Sequence, residues 1–241
     1  LVAAGLSFTA FLWALLKLPE TRPEGAALRP LNLVSFAALE RAVRRPYVGA
    51  LLVLSFVTTT AFANFEATFA QFLSGSFSAT PSTVAWFFVF AGVCAALVQG
   101  ILVRRLAPLL GEARMIVIGA ASLLLGFLTL LLAGSASAVL LAVLFIALGS
   151  GFLSPSMLSL VSRRTPPEEQ GEILGAFQSM ASLGRVAGPF WGENVYLRWG
   201  GRGPHLTGIL LEGVVLVLSV RNLLRENGRA GAHRPASRIS T

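Results

Sequence analysis

The run from Tyr47 to Leu73 carries one charge, Glu66, and a small set of polar groups: Thr60, Asn64, Thr68 and Gln71. In an apolar segment, amides and hydroxyls can bond a polar ligand or a neighbouring helix. A carboxylate there needs a proton, a cation or a basic partner. At about 100° per residue, Thr60, Asn64, Thr68 and Gln71 fall within an arc of roughly 80° and form one stripe. Phe62, Phe65, Phe69 and Phe72 occupy a neighbouring face, and Glu66 points elsewhere, beside Thr59, Ala63 and Ala70. Two readings of the stripe stand: it lines a substrate cavity, or it holds helices together. Arg185 is the only cation deep inside an apolar run. It suits pairing with Glu66, attraction of an anionic group, or pairing with a carboxylate on a helix outside this sequence. Glu66 alternatively binds a proton or cation, or reaches the outer interface.

Further along, Gly149, Gly151 and Pro155 interrupt another apolar run, with Ser150, Ser154 and Ser156 interleaved. Proline removes a backbone hydrogen bond and serine can re-satisfy the freed carbonyl, so the break suits bending and cavity lining, Ser150 and Ser154 included. Close helix packing is the competing reading, and both readings extend to Gly188, Pro189 and Gly192. The segment offers no catalytic constellation. Both histidines, His205 and His233, lie outside span interiors. No metal-ligand cluster and no phosphate-binding loop occur, so neither metal nor cofactor is expected, and no enzyme activity. The single cysteine, Cys94, allows no intramolecular disulfide.

These residues need apolar helices to hold them, and the composition supplies those. Of the 241 residues, 55% are hydrophobic, 12% are charged and none is Asp, too little charge for an ordinary soluble domain. Seven runs, near 1–17, 47–73, 83–103, 115–134, 137–161, 172–197 and 205–224, are long enough, or nearly so, to cross a bilayer as helix. The net charge of +8 forms no basic face and does not point to nucleic acid. Of 19 Lys and Arg, sixteen fall in alternate loops and the tail, two in the opposite loops, and Arg185 in a span. That bias puts the loop at 18–46 and the tail in the cytoplasm and Leu1 outside. The layout expected is a transmembrane helix at 1–18, a cytoplasmic linker with an amphipathic helix at 19–46, a six-helix bundle at 47–224 and a basic disordered tail at 225–241. A start at Leu1 on the outer side suits a fragment whose earlier spans are missing.

A long loop entering six regular spans resembles the second half of a major facilitator superfamily transporter. LPET (Leu18 to Thr21) is similar to the exit from that family's sixth helix. SRRTPPEEQGEILGAFQSMASLGRVAGPFWG (Ser162 to Gly192) resembles the tenth-to-eleventh helix region of tetracycline-resistance and multidrug:proton antiporters. GILVRRLAPLLGEAR (Gly100 to Arg114) partly matches the family's loop between its eighth and ninth helices, and FANFEATFAQF resembles its seventh helix. The resemblance implies an all-α integral membrane fold in the cell membrane, made of the sixth helix plus the C-terminal six-helix bundle. It implies proton-coupled efflux of a small amphipathic compound by alternating access, with an N-terminal half, protons and the bilayer as partners. Arg104, Arg105, Arg163 and Arg164 then form a cytoplasmic gate with acids such as Glu112, Glu168 and Glu169. Glu193 and Glu212 depart from the family pattern. The alternative is a transport-incompetent or dimerising half.

Overall fold

A computed structural model of the chain describes residues 2–17 and 36–232, with side chains at 4–17 and 39–224. The proline-broken part of the linker and the end of the tail lie outside the described residues. The described chain is helical: α1 (Val2–Lys17), α2 (Phe36–Arg44), α3 (Val48–Phe77), α4 (Pro81–Leu97), α5 (Arg104–Leu110), α6 (Glu112–Leu131), α7 (Ala136–Arg163), α8 (Gln170–Trp199) and α9 (Gly203–Ala232). A π-helical turn, Val98–Val103, joins α4 to α5, and a 3₁₀ turn, Pro167–Glu169, precedes α8. The chain divides into two units, one holding α1 and the other everything from Phe36 onward. In the first, α1 is apolar apart from Ser7, Thr9 and Lys17, and the Thr9 hydroxyl donates to the Gly5 carbonyl at 2.9 Å.

Among the described residues, five helical stretches are long and apolar enough to cross a membrane: Val48–Phe77, Pro81–Leu110, Glu112–Leu131, Ala136–Arg163 and Gly203–Leu224. The apolar part of α1, Ala4–Lys17, is shorter. Helix α8 has 30 residues, but Glu172, Arg185, Glu193 and Arg198 dilute its apolar character. Helix α9 continues to Ala232, past the expected start of the tail at 225. Extending a formed helix costs far less than starting one.

Local chemistry sets the helix ends. Thr80 caps α4, its hydroxyl accepting from the Thr83 amide at 3.3 Å, with Pro81 in the first turn where its missing N–H does no harm. Ser135 caps α7 in the same way through the Ala138 amide. Gly111, at φ +78°, makes the turn between α5 and α6, a conformation costly for a residue with a Cβ.

Within the second unit, glycines bring helix backbones together, as expected where lipid offers no hydrophobic drive for association. A Cβ on Gly149 would lie 2.7 Å from the Gly119 carbonyl oxygen, so α6 and α7 touch backbone to backbone. Gly184, Gly188 and Gly192, four residues apart on α8, do the same against α3. The core these contacts enclose includes Phe65, Phe69, Phe127, Leu123, Leu153 and Met157. Trp86, Val89 and Val93 of α4 face outward, the natural arrangement where the surroundings are hydrocarbon.

Candidate functional site

The polar stripe of α3 divides between the interior and the open face. Asn64 and Thr68 are 0% exposed. The Asn64 amide nitrogen donates to the Pro204 carbonyl at 2.9 Å and reaches the Thr207 hydroxyl at 3.4 Å, tying α3 to the start of α9. The Thr68 and Thr60 hydroxyls donate to carbonyls one turn back, Asn64 at 2.9 Å and Phe56 at 2.8 Å. Gln71 lies open, and its amide nitrogen donates to both carboxylate oxygens of Glu193, at 2.9 and 3.2 Å. The Tyr196 hydroxyl donates to the Gln71 carbonyl at 3.3 Å, so α3 and α8 are cross-linked by side chains at this end.

Glu66 is exposed and borders a small cleft between α3, α4 and α7 with room for about 70 Å³. Phe62, Phe65, Phe69 and Phe88 form its aromatic wall, and Ser150 contributes a hydroxyl from α7. The rings meet edge to face: Phe69 and Phe88 are 5.6 Å apart between centroids at 88°. The cleft's mostly apolar lining with few polar groups suits contact with part of an amphipathic molecule, although the cleft alone is smaller than a site for a whole one. Ser154 is exposed one turn further along α7, and Pro155 lies within the same continuous helix. Gly149 and Gly151 serve contact: a Cβ on Gly151 would lie 2.5 Å from the Val98 side chain, in the π-helical turn. Gly188 and Gly192 likewise face α3, where a Cβ on Gly192 would strike the Asn64 side chain.

Arg185 is exposed on α8. It and Glu66 form no ion pair within 4 Å; the four ion pairs among the described residues lie elsewhere. Both charges are therefore available on the open face.

The Arg-rich rim forms a separate cluster. Arg163 pairs with Glu112 at 3.1 Å, and the Ser159 hydroxyl also donates to Glu112 at 3.1 Å. The Arg164 guanidinium stacks 4.2 Å above the Tyr47 ring. Tyr47 has φ +71°, a strained backbone for a residue with a Cβ, at the junction of α2 and α3. Arg104 and Arg105 are exposed. Arg45 donates to Glu169 at 2.5 Å, and Arg41 to Glu172 at 3.2 Å, clamping α2 to the start of α8. The Arg45 hydrogen bond holds the Glu169 carboxyl below its ordinary range, against a smaller opposing effect of burial.

Sequence reasoning missed the α2 clamp, the Gln71–Glu193 bond and Gly184. The four-residue spacing of Gly184 with Gly188 and Gly192 is a readable signal. The other two need the tertiary arrangement. Among the described residues no cluster of three or more His, Cys, Asp or Glu could hold a metal.

The sequence profile described as Major Facilitator Superfamily matches residues 1–238. "Multidrug resistance protein 2" of Bacillus subtilis (strain 168) is 29% identical over 158 residues, 64% of this chain and 38% of the relative. "Tetracycline resistance protein, class G" of Vibrio anguillarum is 27% identical over 190 residues, 78% of this chain and 48% of the relative. The crystal structure of the human organic anion transporter MFSD10 (TETRAN) superposes with a TM-score of 0.76 at 23% identity, over 88% of this chain and 54% of that one. The chain thus spans between about a third and a half of the length of these curated relatives.

Proposed function

The chain belongs to the major facilitator superfamily, and from that premise we propose that it forms the second half of a proton-coupled efflux transporter working by alternating access. It is a multi-pass membrane protein of a transporter family, whose members are not generally enzymes. In this reading α1 is the last helix of the first half, and α3 to α9 are the second bundle. The linker and the tail lie on the cytoplasmic side. The substrate is a small amphipathic compound bound at the open face, between this half and a preceding one.

The observation that carries the reading is the set of polar and aromatic groups left open on α3, α7 and α8. Glu66 and Ser150 border an aromatic cleft, Arg185 is exposed on α8, and Gln71 bonds Glu193. An exposed Arg on a helix that packs through its glycines is well set to meet a substrate or a carboxylate of the other half. Ser150 and Ser154 add hydroxyls on the α7 side. Of the rim pairs, Arg41–Glu172 and Arg45–Glu169 are open to solvent at both partners, where such contacts break and re-form at little cost, as gating requires.

The test is drug accumulation in cells expressing the whole reading frame that carries this chain. Expected is lowered accumulation of tetracycline or an amphipathic dye, reversed by a protonophore. Arg185→Ala should abolish or strongly weaken that efflux at an unchanged membrane level. Efflux that survives the substitution ends the role given to Arg185. Unchanged accumulation across the compounds favours a transport-incompetent half.

A further inference from the structure

Helix α9 buries polar side chains that the open face does not use. His205, Glu212 and Ser219 recur every seven residues, so they share one side of α9 and extend about 20 Å along it. His205 and Glu212 are 0% exposed and Ser219 is 5% exposed. Both His205 nitrogens, both Glu212 oxygens and the Ser219 hydroxyl lack a hydrogen-bond partner, as do the Thr58 hydroxyl and the Asn64 side-chain oxygen Oδ1 on α3. Helices α3 and α9 run antiparallel: Asn64 meets Pro204, while Leu51 and Leu54 share a small cavity with Ser219 and Asn222. Between these two ends the Thr58 hydroxyl approaches the Glu212 carboxyl without completing a hydrogen bond. A polar seam therefore runs through the α3–α9 contact, and the cavity at its Ser219 end, with room for about one water, continues it toward the rim.

We propose that Glu212 is a proton-binding site inside the bundle, reached from the rim through the Ser219 cavity. An ionised carboxylate held among apolar side chains without a cation is strongly disfavoured, whereas the neutral acid is tolerated and can donate. Among the described residues no cation serves it. On α3 the charged residue is Glu66, at the aromatic cleft. On α6 they are Glu112 and Arg114, in the first turn. On α8 they are Glu172, Arg185, Glu193 and Arg198, none of them buried. Among the described side chains of α9 they are His205, two turns away, and Arg221, which is exposed. None of these bonds Glu212. Thr58 is the natural acceptor for the acid proton, and the unpartnered hydroxyls and amide oxygen along the seam can order the water that a proton needs in order to move.

The site stands apart from the open face and is tested without a transport assay. The chain is placed in lipid nanodiscs and its infrared spectrum recorded as the bulk pH is stepped up and back. Expected is a protonated-carboxyl C=O band that is lost in Glu212→Gln, bleaches as the pH rises and returns as it falls. A Glu212→Gln spectrum lacking no such band overturns the proposal. So does a Glu212 band that ignores bulk pH, because that acid would be a sealed packing group. Should Glu212→Gln fail to insert, Thr58→Val carries the test. It keeps the shape of the side chain and should shift the same band, and an unshifted, pH-insensitive band again overturns the proposal.

Discussion

The rim and the α3–α9 seam handle polar groups in opposite ways. At the rim, Arg41, Arg45 and Arg163 each meet a carboxylate, and both partners keep contact with water. In the seam, His205, Glu212 and Ser219 are sealed, and their polar atoms have no hydrogen-bond partner. Exposed pairs contribute little stability because water already solvates both charges. A buried polar group left unmade costs about 1–3 kcal/mol. Rim charges are thus inexpensive and reversible, while seam groups lower stability and persist only if they bind something. Predictions that follow from this contrast differ in size and, in one case, in sign.

The largest effect should come from forcing the interior apart. A Cβ on Gly188 would lie 2.7 Å from both the Ala63 Cβ and the Thr60 carbonyl oxygen, and 2.8 Å from the Asn64 backbone nitrogen. These are mostly backbone atoms of a long helix and cannot step aside. Gly188→Leu should therefore separate α3 from α8 and destabilise the bundle by about 3 kcal/mol or more, as overpacking does at its severe end. Gly175, on the same helix, has open space around it. Gly175→Leu should leave thermal unfolding in detergent nearly unchanged. Equal losses in the two variants would mean that helix α8 tolerates no bulk anywhere, and that the glycine contacts are not special.

Next come two seam substitutions of opposite sign. Asn64→Leu removes the bonds to Pro204 and Thr207 and should destabilise by about 1 kcal/mol, since Thr207 still satisfies the Pro204 carbonyl. Glu212→Leu removes two unpartnered oxygens at similar volume and should stabilise by about 1–3 kcal/mol. Thermal unfolding of the two variants decides the matter. A destabilised Glu212→Leu would mean that the carboxyl already has a good structural partner, and the contrast with the rim would fail.

How much of this was readable beforehand differs along α3. The helical phase of Thr60, Asn64, Thr68 and Gln71 was legible, because a period of 3.6 fixes which residues share a side. Which neighbour that side faces was not, because phase is a property of one helix and contact a property of two. Gln71 thus reaches Glu193 on α8, while Asn64 turns to α9. The apolar helices and their order were legible from hydropathy, and α8 stands out as the one diluted by charge. Glu212 was visible as an anomaly in the sequence. Its isolation was not, since nothing local records the lack of a partner. The clamp of α2 onto α8 joins residues more than 120 positions apart, and no spacing rule reaches that far.

The smallest expected effect lies in that clamp, and it has a definite direction with pH. Glu169 is held below its ordinary range by Arg45 in the folded chain. A depressed carboxyl contributes stability that is present above its unfolded value and is lost as the pH falls through the folded one. Arg45 is shifted upward by the same bond, so its contribution fades only in strong alkali and leaves neutral and acid pH to Glu169 alone. Below the ordinary carboxylate range, then, α2 should loosen from α8 while the buried helices stay closed. Amide hydrogen exchange across α2 measures this. In the unmodified chain, α2 protection should hold at neutral pH and fall on acidification. In Glu169→Gln it should already be low at neutral pH, and raising the salt should narrow the gap by screening the remaining Arg41–Glu172 pair. If α2 keeps full protection in Glu169→Gln, its apolar contacts rather than the rim charges hold it, and the rim is then even less consequential for stability than the seam.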